Sequence, residues 1–286
     1  MTTDLALPLP ATTEARRLPA PAVIGMHVLM LLLVILSIFP LYWMVVSSLR
    51  ADNDIFSTDL WPTAPSLDNY IFVMTSAPML RMLANSLITS VAVAIGQVIT
   101  GLLAAYGLLQ LKPKLAGLIY GIIALSWLVP FQVTMIPNYV LASRLGLLDS
   151  ILGLIVPHVA AAFAVMMLYN AMRSFPEEVI DAARIDGASR WTILTAVIAP
   201  NLKPAIASLA IIAFISEWND YFWPLLISRS MQNSVVQIGL QMFMTQEGDL
   251  WGPLMAASTL ASLPILIIYL ALQGQVIDSF MKSGLR

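Results

Sequence analysis

The chain has 286 residues, of which 59% are hydrophobic, 10% are charged and none is cysteine, and its formal net charge is −2. A soluble domain carries about 25% charged residues. Here the charges cluster and leave apolar intervals long enough to cross a hydrocarbon core, which takes about 20 residues. Composition therefore excludes a soluble domain, and the lack of cysteine excludes disulfides and thiolate metal sites.

Residues 1–21 are rich in Pro, Ala and Thr and are predicted to form a disordered cytosolic tail. Arg16 and Arg17 precede an apolar run, as in a secretory signal. The charge-free stretch 18–49 is longer than a signal's apolar region of about 7–15 residues, so it reads as an uncleaved first helix. Asp, Glu, Lys and Arg are also absent from 82–111, 115–143, 150–172 and 250–277, while 204–228 is interrupted only by Glu217 and Asp220. Each stretch is predicted to be a helix, because a spanning segment must satisfy its backbone hydrogen bonds internally. The expectation is an all-α integral membrane unit, 22–286, with helices near 22–49, 83–110, 115–142, 150–172, 204–228 and 250–277. Six spans put both termini on one side. With the termini inside, cytosolic segments hold Arg16, Arg17, Lys112, Lys114, Arg173, Arg184, Arg190, Lys203, Lys282 and Arg286. Only Arg50, Arg81, Arg144 and Arg229 fall outside, which fits the positive-inside tendency.

In the third span, Pro130 and Pro137 are expected to kink the helix and to free the carbonyls of Ser126 and Val133. Gln132 needs a polar partner at that depth, either another helix or a solute.

Residues 174–203 form a charged insert between two apolar stretches. Ser174 and Glu177 have capping-box spacing around Pro176, so a helix is predicted to about Asp186. Gly187 can end it in the left-handed conformation. A second helix follows from about Ser189, with Pro200 and Pro204 marking the return to the membrane. Ala182, Ala183, Gly187 and Ala188 would let another backbone approach closely, and Glu178, Asp181, Arg184, Asp186 and Arg190 offer ionic contacts. The alternative is an ordinary solvated loop.

The fifth predicted span contains Glu217, Trp218, Asn219, Asp220 and Tyr221. Each acidic residue at mid-bilayer costs roughly 2.5–3.5 kcal/mol, so neither should face lipid. On a continuous helix Glu217, Asp220 and Tyr221 would share a face, and Pro224 would leave the Asp220 carbonyl free. Carboxylates, amides and aromatic faces suit a hydroxyl-rich solute. The competing reading is structural, with Glu217 or Asp220 paired to another helix. With Gln132, these five residues are the candidate substrate path. His27 and His158 stand in apolar runs without partner ligands at metal spacing and read as interfacial or packed residues. No metal ligand and no catalytic residue is assigned, and no nucleic-acid-binding pattern occurs.

Asp181-Ala182-Ala183, then Gly187 after three residues, then Pro200, resembles the EAA loop of binding-protein-dependent ABC importer permeases. Asp181 stands where that loop usually has Glu, and Val197 and Ala199 replace its usual Ile and Leu. EWNDYFWPLL, LWGPLMAASTLASLPILIIYLALQ and VPFQVTMIPNYVLASRLGLLDSILGLIVP look like stretches of carbohydrate-uptake permeases of the maltose-permease MalG type. The resemblance implies a type I importer permease fold in the cytoplasmic (inner) membrane, forming half of a pore for a sugar or related polar solute. It also implies a second permease subunit, an ATP-binding subunit dimer docked on the 174–203 hairpin, and an extracytoplasmic solute-binding protein. ATP and Mg²⁺ would sit on the partner ATPase, with no cofactor on this chain; a G-x-x-x-x-G-K-[ST] loop is absent from it. A secondary transporter using Glu217 or Asp220 as a proton or cation site is the rival reading. Such carriers commonly show repeated halves, and no internal repeat is found.

Overall fold

The computed structural model describes residues 20–51, 54–244 and 250–284, so the predicted tail falls almost wholly outside the described residues. Among the described residues there is no strand. The chain divides into two compact units, Met1–Met44 and Val45–Arg286.

The first unit is most of helix α1, Ala20–Ser48, with a mean hydropathy of 2.6 over Val23–Ser48. Within it, Ser37 Oγ donates back to the Leu33 carbonyl at 2.8 Å. The Phe39 and Trp43 rings stack 5.8 Å apart.

In the second unit the last turn of α1 is tied down by α2, Asp68–Ser76. Asn69 Nδ2 donates to the carbonyls of Ser48 (3.0 Å) and Arg50 (2.7 Å), which have no helical partner at a C-terminus. Helix α3, Met79–Leu109, is the central strut and packs on two later helices, α7 (Ala162–Arg173) and α11 (Lys203–Trp218). In lipid, helices associate through close packing rather than the hydrophobic effect, so small residues belong at such contacts. Gly101 of α3 meets α7 this way. A Cβ there would lie 3.1 Å from Leu168 and 3.3 Å from Ala164.

The third predicted span is two helices, α4 (Pro113–Trp127) and α5 (Phe131–Arg144), meeting at 93°. This corrects the expected kink. Pro130 is not inside a helix but caps the start of α5 in an extended conformation. The Ser126 carbonyl is not freed either, since the tightened end of α4 gives it the Val129 N–H at 3.2 Å. The fourth span is also bent, by 44°, between α6 (Ile151–Ile155) with its 3₁₀ turn Val156–His158 and α7. At this break α3 supplies the missing partners. Gln97 Nε2 donates to the His158 carbonyl at 2.9 Å, and Thr100 Oγ1 to that of Val159 at 2.8 Å.

The hairpin follows as α8 (Glu177–Ile185), α9 (Arg190–Thr192) and α10 (Ala199–Asn201), with a π-helical segment, Ile193–Ile198, joining the last two. An 81° bend at Leu202 leads into α11. The fifth span is not one helix. Helix α11 ends at Trp218 and α12, Phe222–Ile227, starts after a three-residue break. Pro224 sits in the first turn of α12, where an N–H has no intrahelical partner, so it begins a helix instead of kinking one. Helix α13 (Val236–Gln241) and α14 (Trp251–Gly284, with Pro264 inside) complete the chain. Among the described residues, three helices are long and apolar enough to cross a membrane, and there are up to six crossings if each bent pair is one span.

Candidate translocation site and coupling hairpin

Three helix breaks converge on His158. Its ring nitrogen Nδ1 is hydrogen-bonded to Oε2 of Glu217 at 2.8 Å, and the two side chains are 20% and 7% exposed. Its ring meets the edge of Phe131, the first residue of α5, at 6.2 Å. Ligand atoms of His158, Glu217 and Asp220 all lie within 4.8 Å of one another. A cavity of about 410 Å³ opens here, lined by Gln97, Phe131, His158, Ser216, Glu217, Asn219 and Asp220 among others. That volume is in the range of small-molecule sites, and its donors and acceptors suit hydroxyl groups. A second cavity, about 390 Å³ between α3, α11 and α14, is lined by Val91, Ile95, Phe214, Ile268 and other apolar residues, so it offers a sugar nothing to hydrogen-bond.

Placement of the expected path residues is uneven. Glu217, Asn219 and Asp220 line the cavity. Because α11 stops at Trp218, Glu217 and Asp220 meet across the end of a helix and not along one face. The Asn219 side chain folds back, its Nδ2 donating to the Ile215 carbonyl at 2.8 Å. Trp218 points elsewhere: it is 2% exposed and stacks on Phe214 in the core with Val236 and Phe243. Tyr221 packs edge-on against Phe222 at 5.6 Å, and Gln132 is exposed, while its neighbour Phe131 reaches the cavity. His158, Gln97 and Ser216 were missed. An uncharged polar residue inside an apolar run was the available signal for each, but His158 and Glu217 are 59 positions apart, and nothing local pairs them.

The hairpin turns as its glycine requires. Gly187 has φ +80 and open space on the side where a Cβ would project, and its N–H donates to the Arg184 carbonyl at 3.1 Å. Ser189 caps α9, its Oγ accepting from the Thr192 N–H at 3.1 Å. The predicted capping box does not form. Pro176 is the N-cap of α8, and Ser174 closes α7 instead, its Oγ donating to the Ala171 carbonyl at 2.8 Å. Of the expected contact residues, Glu178, Asp181, Ala182, Asp186, Gly187 and Arg190 are exposed. Ala183 and Ala188 turn inward with Ile180 onto the core that holds Tyr106, Met172, Ile193 and Leu194. Asp181 is already paired with Arg184 at 2.8 Å on the surface. Ile185 is 87% and Trp191 64% exposed on the same hairpin.

A family model for the binding-protein-dependent transport system inner membrane component matches residues 97–281. The lactose transport system permease protein of Rhizobium radiobacter is 29% identical over 273 residues, 95% of this chain and 98% of that protein. The sn-glycerol-3-phosphate transport system permease protein of Salmonella choleraesuis is 31% identical over 267 residues, covering 90% and 95%. Among solved structures, a bacterial ABC transporter involved in import of the acidic polysaccharide alginate has a chain similar in fold. Its TM-score is 0.78 at 22% identity, covering 90% of this chain and 98% of that one.

Proposed function

The chain belongs to the family of binding-protein-dependent transport system inner membrane components, and from that premise we propose how it works as a permease subunit of an ABC importer. It is a multi-pass membrane transport subunit and not an enzyme. The polar cavity at the junction of α5, α6 and α11 lines its half of the translocation path, with Glu217, Asn219 and Asp220 from this chain facing the solute. A second permease subunit supplies the other half. What supports this reading is that carboxylates, an amide and an imidazole gather at three helix breaks inside otherwise apolar spans. Polar groups at that depth are costly unless they serve a water-filled path or one another.

Hydrolysis of ATP with Mg²⁺ occurs on a partner ATPase dimer, and the hairpin carries its movement inward. Exposed Ile185 and Trp191, flanked by Glu178, Asp186 and Arg190, give that partner an apolar centre with a charged rim. Ala183 and Ala188 act on the other side, seating the hairpin on α3 and α7 so that it moves as a lever. Both termini are cytosolic, and an extracytoplasmic binding protein delivers the solute. A related-fold transporter has been solved in complex with an alginate pentasaccharide-bound periplasmic protein.

The solute is a sugar or a similar neutral polar molecule. Relatives are named for lactose, for arabinooligosaccharides and, in several organisms, for sn-glycerol-3-phosphate. A phosphorylated solute calls for Arg or Lys, and the cavity lining has neither. A secondary transporter using Glu217 or Asp220 is disfavoured by the family assignment. The test is gentle solubilisation and affinity purification of the tagged chain. An ATP-binding subunit and a second permease should co-purify, and Asp181→Lys should reduce recovery of the ATPase. Recovery of the chain alone would refute the reading.

A further inference from the structure

We propose that His158, Glu217 and Asp220 form a divalent-metal site of the Zn²⁺ type, and that an ion bound there clamps the 3₁₀ turn before α7 to the end of α11 and blocks transport. The inference rests on the reading of this cavity as part of the solute path.

Three features carry it. First, the three side chains come from two separate helix breaks, and their ligand atoms lie within 4.8 Å of one another. Donors on a tetrahedral zinc ion, each about 2.0–2.2 Å from it, are separated by somewhat less, so small side-chain rotations close the set. Second, the ligand types select the ion. Ca²⁺ and Mg²⁺ prefer oxygen alone, whereas one imidazole with two carboxylates suits zinc, and three protein ligands leave a fourth position open. Third, the charges do not balance. Two carboxylates share one imidazole, so with both ionised even an imidazolium would leave a net negative charge in a site where His158 and Glu217 are 20% and 7% exposed. A dication offsets it. Around the set, Gln97 Nε2 holds the His158 carbonyl at 2.9 Å, and the ring packs against Phe131 (6.2 Å) and Trp223 (6.1 Å), which also meet each other at 6.3 Å. These neighbours fix where the imidazole points, as outer partners do in metal sites.

Movement of α6 against α11 is what a bound ion would prevent, since it would join both. The solute needs the same oxygens, so ion and solute compete. The experiment uses the complete transporter, purified with its partners, stripped with chelator and kept free of nucleotide. Zn²⁺ binding is measured by equilibrium dialysis for the wild type, His158→Ala and Glu217→Gln, with assembly followed by size exclusion. One more ion per copy of this chain should bind in the wild type than in either variant, or affinity should fall more than about tenfold, the smaller effect of losing even an outer partner. Glu217→Gln keeps a hydrogen-bonding group against His158, which guards against failure of the alanine variant to fold. In proteoliposomes, Zn²⁺ should inhibit wild-type uptake, and His158→Ala, whose side chain is not one of the three facing the solute, should need concentrations at least about tenfold higher for the same fractional inhibition of its own zinc-free rate. Equal zinc binding in all three proteins, no binding in the wild type, or bound zinc without inhibition overturns the proposal. Uptake by the wild type in chelator-treated buffer is read separately. If it persists and responds to the path variants while zinc fails to bind, the metal site falls and the path reading stands.

Discussion

His158 Nδ1 and Glu217 Oε2 lie 2.8 Å apart, joining the 3₁₀ turn at the α6–α7 break to the last turn of α11. The pair stitches together two broken spans at their breaks. Removing His158 strands a carboxylate that is only 7% exposed. His158→Ala should lower stability by about 1–3 kcal/mol, the cost of an unsatisfied buried polar group. Combined with Glu217→Ala it should cost less than the sum of the single losses, because the two touch. Thermal unfolding of the purified complex reads this, and strictly additive losses would mean that the pair does not hold the breaks together.

Gly187 has φ +80 in open space, so the demand on it is conformational and not one of room. A β-branched residue meets steric strain of about 1–2 kcal/mol in that region. Gly187→Val should leave the membrane helices assembled but lower solute uptake per ATP hydrolysed, and Gly187→Asn, whose side chain tolerates the conformation, should lie between valine and wild type. Equal coupling ratios in all three would remove the turn from the coupling path.

The fold was partly legible in the sequence, and the reasons differ by element. Charge-free length found α1, α3 and α14, because a single helix in lipid leaves a long apolar run. It could not see that 115–142 and 204–228 break, since a helix and two bent halves share one composition; Pro130 and Pro224 mark helix starts rather than kinks. In the hairpin, Gly187 was readable because a left-handed turn selects for it, whereas the Ser174 capping spacing misled because Pro176 took the N-cap. At the site, Glu217 and Asp220 were visible as charges in an apolar run. Trp218 looked like a solute contact only because its neighbours are polar, and its ring faces the core on Phe214. His158 was hidden by sequence distance.

Outside the membrane-spanning segments, Asp149 links the loop before α6 to the loop after α12. Its carboxylate accepts from the backbone N–H groups of Ser230 (3.0 Å) and Arg229 (2.9 Å) and from the Ser230 hydroxyl (2.9 Å). The Ser230 and then the Arg229 N–H hold its pKa below the ordinary value of 3.8. A depressed carboxylate stabilises the folded state above the unfolded value and loses that contribution as pH falls through the lower folded one. Wild type should therefore exceed Asp149→Asn in melting temperature at pH 6, with the gap shrinking below about pH 4. A gap that is constant from pH 6 to pH 3 would contradict this.

Gly101 sets the approach of α3 to α7. A leucine there must displace Leu168 or the Ala164 backbone, which lie 3.1 and 3.3 Å from the new Cβ. Overpacking of this kind costs about 1–3 kcal/mol. Gly101→Leu should lower the melting temperature of the complex, and Leu168→Ala should restore part of the loss. Failure of the second change to help would place the strain elsewhere.

The central claim, that the cavity at the helix breaks is part of the solute path, is tested most directly by ATP-driven uptake in proteoliposomes. The transporter is reconstituted with its binding protein and either wild-type chain or Asn219→Ala/Asp220→Ala. The account predicts that the variant complex assembles and that its uptake falls at least about tenfold, equivalent to about 1.4 kcal/mol of lost solute interaction. Wild-type uptake by an assembled variant would contradict it.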